Sequence, residues 1–170
     1  MIEETGDLLS VTRGIIVHGC NAQGVMGSGV AKAVRERYPV AYEAYMQAHR
    51  TKGLRVGQVV WATLSKEEPR LALANAITQK FYGRDPNRVY VDYDGIFEAM
   101  TTIGNIARRH DLPVHYPKIG AGLGNGDWTR ISAILDLALK DVSHTLWIPE
   151  WERAPTEPKP ATSRRTVRPG

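Results

Sequence analysis

Cysteine is almost absent from this chain of 170 residues, in which Cys20 stands alone. A single cysteine excludes an internal disulfide and is typical of proteins in a reducing compartment, so we expect a cytoplasmic protein. We interpret Cys20 as a small buried residue at the end of a strand. A nucleophilic role is the less favoured alternative, because the sequence places no base beside it.

Long apolar runs and metal-ligand spacings are missing as well. No stretch approaches the ~20 apolar residues that span a bilayer. Residues 1–4 are acidic rather than basic and no apolar signal segment follows them, so we expect no membrane partner. The five histidines lack carboxylates at ligand-like spacing. We therefore expect neither a metal site nor a cofactor.

Charge is nearly balanced over most of the chain, and the positive excess lies at its end. Residues 151–170 carry +3 of the net charge of +4, and they include four prolines. Almost no apolar residue follows Trp151, so this end cannot bury enough surface to offset its ordering entropy. We expect one domain over residues 1–150, a disordered basic tail over residues 151–170, and a monomer. An electrostatic tether to nucleic acid is the alternative reading of the tail.

The hydrophobic pattern alternates between the periods of strands and helices, which is typical of α/β proteins. Strands are predicted over residues 1–5, 14–18, 57–64, 70–77, 114–116 and 145–148. Helices are predicted over residues 30–38, 41–50, 94–110 and 128–141, with Asp94 and Asp127 as N-caps of the last two. The short turn before residue 70 favours an antiparallel hairpin, and residues 78–91 are expected to form a loop. We predict a three-layer α/β/α sandwich with a mixed central sheet.

Two glycine-rich segments carry the strongest functional signal. The first glycine loop (residues 24–31, GVMGSGVA) and the second glycine loop (residues 117–128, PKIGAGLGNGDW) each follow a predicted strand and lead into a predicted helix. Glycine lets the backbone approach an anion closely, and the positive end of the helix dipole lies behind it. Because ligands of such folds sit at the carboxyl ends of strands, the pair suggests a ligand with two phosphates.

Neither loop has the lysine of a P-loop or the spacing of the usual dinucleotide fingerprint. Together with GDLL at residues 6–9 and Cys20-Asn21, the loops resemble the motifs of the macrodomain family, in order and spacing, over residues 1–148. The chain is most similar to the branch of ADP-ribose-1″-phosphate phosphatases and ADP-ribosyl-glutamate hydrolases, which has short bacterial and phage members. The resemblance to this branch is carried by His18 and by the segments 37–39 (RYP), 75–79 (NAITQ), 93–94 (YD) and 126–128 (GDW).

The macrodomain resemblance implies a binding role for residues along the whole ADP-ribose molecule. Asp7 would accept a hydrogen bond from the adenine amino group, and Leu8 would lend a backbone N–H. Asn21 would contact the distal ribose, while a purely local turn or loop role is the alternative for Asp7 and Asn21. Backbone N–H groups of the two glycine loops would bind the phosphates. The loop residues so implied are Gly24, Val25, Met26, Gly27, Ser28, Gly29, Val30, Ile119, Gly120, Ala121, Gly122 and Leu123.

The resemblance also implies candidate catalytic residues. Hydrolases of the branch that act on glutamate-linked ADP-ribose use a lysine just after the Ile-Thr run, where this chain has Gln79 and then Lys80. They use an acid in the second loop, where this chain has Gly124 and, three residues later, Asp127. The phosphatase members suggest His18 to move a proton and Asp127 to activate water. A structural histidine and a plain N-cap are the alternatives for these two residues.

We hypothesise an enzyme that binds ADP-ribose and hydrolyses a group from its distal ribose, of the phosphatase or ADP-ribosyl hydrolase type. The group removed is left open among phosphate, an acyl ester, a protein and a nucleic acid. The alternative is a non-catalytic reader of ADP-ribose, associated with nucleic acid through the basic tail. In either case the expected partners are ADP-ribose derivatives, including ADP-ribosylated protein or nucleic acid.

Overall fold

Strands and helices alternate along residues 1–152, the part of the chain that the computed structural model describes. From residue 153 onwards the predicted basic tail lies outside the described residues. Short 3₁₀ turns occur at Leu8–Ser10 and Glu150–Glu152. The other elements are β1 (Ile2–Thr5), β2 (Gly14–Asn21), α1 (Gly29–Arg37), α2 (Pro39–Lys52), β3 (Val59–Ser65), β4 (Leu71–Gln79), α3 (Tyr93–His110), β5 (Val114–Tyr116), α4 (Trp128–Ala138) and β6 (His144–Ile148).

The six strands form one mixed sheet in the order β1-β6-β5-β2-β4-β3. Every neighbouring pair is parallel except β3 and β4, which are antiparallel. The hairpin predicted from the short turn is therefore confirmed. Because β1, β6, β5, β2 and β4 all run the same way, their carboxyl ends meet at a single edge of the sheet.

Helices cover both faces of the sheet, and alternate residues of β2 show the two layers. Ile15 and Val17 pack in a core with α3 and α4, whereas Ile16 packs in a second core with α1 and α2. A strand covered on both sides has no polar face, which explains the continuous apolar run in the sequence. The predicted three-layer α/β/α sandwich is confirmed.

The start of α3 differs from the prediction. Asp94 was expected to cap this helix, but the cap is Asp92, whose carboxylate accepts a hydrogen bond from the N–H of Gly95 at 2.7 Å. The helix therefore begins at Tyr93. The prediction was wrong because both aspartates precede the apolar period, and only the backbone turn decides which one lies outside the helix.

Two other boundaries also differ. Strand β4 continues to Gln79, into the segment predicted as a loop, because β2 pairs with it as far as Asn21. Helix α4 ends at Ala138, earlier than predicted. Within residues 1–152, no helix is long and apolar enough to cross a membrane.

Candidate functional site

The segments that the sequence assigns to a ligand lie at one edge of the sheet. Asp7 and Leu8 follow β1, the first glycine loop comes shortly after β2, and the second glycine loop follows β5. Strands β5 and β2 are neighbours, and only β6 separates β5 from β1. At a strand spacing of ~4.8 Å the three segments span about 14 Å, which suits a nucleotide better than a lone phosphate.

The second glycine loop is closed on itself by its own backbone. The N–H of Gly126 donates to the carbonyl of Gly120 at 2.8 Å, and the N–H of Asn125 donates to that of Gly122 at 3.0 Å. Gly120 has a φ of +73°, and a Cβ there would lie 2.6 Å from Val91. Glycine is therefore required at this turn.

This closed loop contains three consecutive backbone N–H donors without an acceptor. Within residues 1–152, the N–H groups of Gly122, Leu123 and Gly124 find no hydrogen-bond acceptor. A Cβ on Gly122 would meet nothing within 4 Å, so the space beside it is open. Successive N–H groups in a turn form a nest suited to an anion such as phosphate.

The first glycine loop leads to a helix N-terminus without a cap. Helix α1 begins at Gly29, the Ser28 side chain caps none of its N–H groups, and the first turn contains no acidic residue. The first N–H groups of a helix have no partner inside it, and the helix dipole makes this end attractive to an anion. A Cβ on Gly29 would meet nothing within 4 Å, so this end is open as well.

Not every predicted backbone donor of the first loop faces a ligand. The N–H of Val25 donates to the Tyr45 hydroxyl at 3.1 Å and contacts Asn21 Oδ1 at 3.4 Å. The side chain of Met26 is buried among Cys20 and Tyr45, so only its backbone is available. Gly24 has a φ of +77°, and a Cβ there would lie 2.6 Å from the ring of His49.

Asn21 organises this loop from within. Its Nδ2 donates to the carbonyl of Val25 at 2.8 Å, and its Oδ1 accepts from the N–H of Gln23 at 3.0 Å. Its main-chain carbonyl accepts from the Tyr45 hydroxyl at 2.8 Å. This geometry favours the loop-forming alternative for the Asn21 side chain, and its predicted contact with the distal ribose stays a prediction.

Asp7 and Leu8 lie at the far end of the site, beyond β1. One carboxylate oxygen of Asp7 accepts from the N–H of Leu9 at 2.8 Å and so caps the 3₁₀ turn that follows. The Asp7 side chain is exposed, which leaves its second oxygen accessible to an amine. The local role and the predicted adenine contact are thus compatible at Asp7.

His18 does not lie at a strand end. It sits within β2, three residues before Asn21, with 1% of its surface exposed. Its Nε2 lies 2.7 Å from Asn75 Oδ1, and its Nδ1 lies 3.8 Å from Cys20 Sγ. Burial lowers the pKa of His18 to about 4. The expectation that His18 lies near the end of its strand is wrong, because β2 continues three residues beyond it to Asn21. Burial favours the structural alternative for His18, and its predicted catalytic role stays a prediction.

Cys20 belongs to the same buried group and matches the preferred interpretation of the sequence. It is buried, and desolvation raises the pKa of its thiol far above the usual range. A thiol that stays protonated is a poor nucleophile. Asn75 completes the group: its Nδ2 donates to the carbonyls of Ala41 and Val60 at 3.1 and 3.2 Å.

Asp127 caps α4, as its position in the sequence predicts. One carboxylate oxygen accepts from the N–H of Thr129 at 2.8 Å, and the Asp127 N–H donates to the Tyr93 hydroxyl at 3.0 Å. The residue is exposed. Its second carboxylate oxygen is therefore accessible at the end of the second glycine loop, where a water molecule could be activated.

Lys80 is the first residue after β4. Cys20 pairs with Ile77 and Asn21 pairs with Gln79, so Thr78 is an extra residue, a bulge, in β4. A bulge changes the direction of the residues that follow it. Lys80 is exposed, and its position just past the Asn21–Gln79 pair places it at the border of the first glycine loop.

Residues missed by the sequence analysis support these loops. Tyr45 connects α2 to the first loop, and Tyr93 connects α3 to the second. Tyr93 belongs to one of the segments that carry the family resemblance, but the sequence predicts neither contact, because each acts through a hydroxyl whose partner is distant along the chain. Among the described residues, no group of three or more His, Cys, Asp or Glu side chains could hold a metal ion.

The fold and the site together define an α/β/α protein with two glycine-rich backbone loops at one edge of its sheet. The chain belongs to the macro domain family, whose model matches residues 17–135. It is 28% identical over 148 residues to the DNA ADP-ribosyl glycohydrolase of Mycobacterium tuberculosis, covering 85% of this chain and 41% of that protein. It is 26% identical to the ADP-ribose 1″-phosphate phosphatase of Scheffersomyces stipitis, covering 71% of this chain and 81% of that protein.

A solved structure shares the fold. The macrodomain of Mycobacterium tuberculosis DarG superimposes with a TM-score of 0.73 at 25% identity, covering 87% of this chain and 97% of that chain. The distant relatives are thus hydrolases that act on ADP-ribose derivatives. This chain spans about two fifths of the first curated relatives that it matches, so their whole activity does not transfer to it directly.

Proposed function

We propose that this protein binds ADP-ribose across the two glycine loops and hydrolyses a group attached to the distal ribose. The observation that carries the proposal is the row of three acceptor-free N–H groups at Gly122, Leu123 and Gly124, together with the uncapped N-terminus of α1 at the same edge of the sheet. The two glycine loops follow the neighbouring strands β5 and β2, so one diphosphate can contact both loops. The names of both classes of relative support ADP-ribose as the ligand.

The strand order gives the ligand a direction. Asp7 and Leu8 follow β1 at one end of the site and would hold the adenine. The other end lies beyond β2 and β4, where Asn21 pairs with Gln79 and Lys80 follows. The distal ribose would lie at this second end. The exposed apolar side chains of Val30 and Leu123 would flank the ribose and diphosphate.

Two charged side chains are available for the chemistry. Asp127 would accept a proton from water as the water oxygen attacks one of two atoms. The first is the anomeric carbon, and the second is the phosphorus of a phosphate joined to that carbon through oxygen. The bond to the leaving group then breaks, and the proton from water ends on the released group. Lys80 would stabilise the negative charge that develops there. His18 takes no part in this scheme, because its ring is buried and both of its nitrogens have neighbours in the core.

Calorimetric titration of the full chain with ADP-ribose tests the binding site. Gly122→Glu should fold normally, because its Cβ meets open space, yet abolish binding by placing a carboxylate in the phosphate nest. Gly122→Ala should bind with little change. Ala133→Glu adds the same charge on the exposed side of α4 and should bind like the parent. Full affinity in Gly122→Glu would disprove the proposed site.

A non-catalytic reader of ADP-ribose is the second candidate. The burial of His18 favours it, as do Gln79 and Gly124 at the positions where related hydrolases carry a lysine and an acid. Both candidates require ADP-ribose binding. The two candidates differ in whether Asp127 contributes to turnover. The substitution Asp127→Asn, discussed below, separates them.

A further inference from the structure

The segment between β4 and α3 exposes aromatic side chains beside the site. This segment, the rim loop (residues 80–91), contains no helix or strand. The side chains of Phe81 and Tyr82 are 42% and 55% exposed, and that of Val89 is 55% exposed. Apolar rings left in solvent within a few residues of each other are a feature of contact surfaces.

Cations accompany these rings. The rim loop carries Lys80, Arg84 and Arg88 against the single acid Asp85. The Arg88 guanidinium lies 5.6 Å from the centre of the Phe81 ring, and the Lys80 ammonium lies 5.3 Å from it. Positive charge is therefore concentrated around an exposed ring.

The rim loop is held in place by both sides of the ligand site. The N–H of Tyr82 donates to Oε1 of Gln23, just before the first glycine loop, at 3.3 Å. Asn125 of the second glycine loop donates to the carbonyls of Asp85 and Arg88 at 2.9 and 2.8 Å. These contacts use the backbone of the rim loop. The exposed side chains of Phe81 and Tyr82 are consequently presented from a fixed support, which lowers the entropic cost of binding.

We propose that the rim loop is a contact surface for single-stranded nucleic acid. Phe81 and Tyr82 stack with bases, and Arg84 and Arg88 contact phosphates. Stacking on exposed aromatic rings combined with cations along the backbone is how single strands are bound without sequence preference. An acidic protein segment would use the cations but would leave the rings without a partner, and therefore fits this surface less well.

The surface adjoins the end of the site assigned to the distal ribose, since Lys80 begins the rim loop and follows the Asn21–Gln79 pair. A strand lying on the rim loop would thus present an attached ADP-ribose to the cleft. This second step rests on the proposed function, whereas the contact surface itself does not. The two can therefore fail separately.

Fluorescence anisotropy with a labelled single-stranded oligonucleotide of mixed sequence tests the surface on the full chain. Phe81→Ala should weaken binding about tenfold, at the scale expected for one stacked base. Phe97→Ala is the matched control, because Phe97 lies on α3 and is also 42% exposed. Arg84→Gln should reduce both the affinity and its salt dependence, while Arg109→Gln, an exposed arginine at the end of α3, should not.

Calorimetry with free ADP-ribose on the same variants separates the possible outcomes. Unchanged ADP-ribose affinity in Phe81→Ala and Arg84→Gln, with weakened oligonucleotide binding, supports the surface. Oligonucleotide binding that both rim variants weaken, in a parent that does not bind ADP-ribose, supports the surface and disproves the proposed function. The surface is disproved if both rim variants bind the oligonucleotide like the parent. It is also disproved if they impair only the processing of an ADP-ribosylated protein.

Discussion

At the scale of single residues, Asp127 has two chemical roles available at one position. One carboxylate oxygen caps α4, and the other is exposed beside the second glycine loop. The sequence suggests both roles, because an aspartate before an apolar helical period is a natural cap and a carboxylate after a glycine loop is a natural base. Only removal of the charge with retention of the cap distinguishes them.

Asp127→Asn makes that distinction. Asparagine still accepts the hydrogen bond from Thr129, so the fold should persist, whereas the loss of the base should lower turnover by about 10²- to 10⁴-fold. ADP-ribose affinity should be unchanged. Phosphate release from ADP-ribose 1″-phosphate and release of ADP-ribose from an ADP-ribosylated oligonucleotide measure the two chemistries separately.

Asp92→Asn is the control for this substitution, since Asp92 caps α3 in the same way. It should leave both activities intact. Equal turnover in Asp127→Asn and the parent protein would restrict Asp127 to its capping role. A parent that binds ADP-ribose but shows no turnover with either substrate would favour the reader.

At the scale of secondary-structure elements, the first glycine loop depends on helix α2. The Tyr45 hydroxyl donates to the carbonyl of Asn21 at 2.8 Å and accepts from the N–H of Val25 at 3.1 Å. One side chain from α2 thus joins the end of β2 to the loop that follows it. The sequence predicts the loop from its glycines but cannot predict this support, because Tyr45 is 24 residues from Asn21.

Tyr45→Phe tests this support. The ring remains in the core, but the buried carbonyl of Asn21 and the partly buried N–H of Val25 each lose a partner, so stability should fall by about 1–2 kcal/mol. ADP-ribose affinity should also fall severalfold, because the loop is no longer fixed. Urea unfolding and calorimetric titration measure the two effects. Tyr42→Phe on the same helix should change neither, and unaltered affinity in Tyr45→Phe would show that the loop is held by Asn21 alone.

The β4 bulge is the second feature at this scale that no pattern in the sequence predicts. Counting residues from the Ile-Thr run places Gln79, not Lys80, at the expected lysine position. The extra residue Thr78 alters the pairing of β4 with β2, so that Lys80 emerges directly after the Asn21–Gln79 pair. Register is decided by pairing between strands, which a linear count does not contain.

At the scale of the whole molecule, the buried group of His18, Cys20 and Asn75 connects the sheet to α2. The Asn75 amide joins His18 to the carbonyls of Ala41 and Val60. Burial lowers the pKa of His18 to about 4, so the folded protein holds this histidine neutral. In the unfolded chain the same side chain takes up a proton near pH 6.5. The protonated unfolded state is therefore favoured as the pH falls.

The free energy of unfolding should consequently decrease as the pH falls from about 6.5 towards 4. His18 alone should account for about 2 kcal/mol between pH 7 and pH 5. His115 and His144, whose pKa values burial also lowers, act in the same direction. Urea unfolding at the two pH values measures the change. His18→Gln should reduce this pH dependence, His110→Gln on the surface should not, and an unchanged slope in His18→Gln would show that His18 is readily protonated in the folded protein.

The sequence by itself determined the order of the elements, the two glycine loops and the macrodomain motifs. These follow from local period, turn chemistry and spacing, which are properties of neighbouring residues. The tertiary structure decided which groups meet: it buried the His18 ring within the core, engaged the Asn21 side chain within its loop, and joined the rim loop to Gln23 and to the second glycine loop. Such outcomes depend on strand pairing and packing between residues far apart in the chain, and no local pattern encodes them.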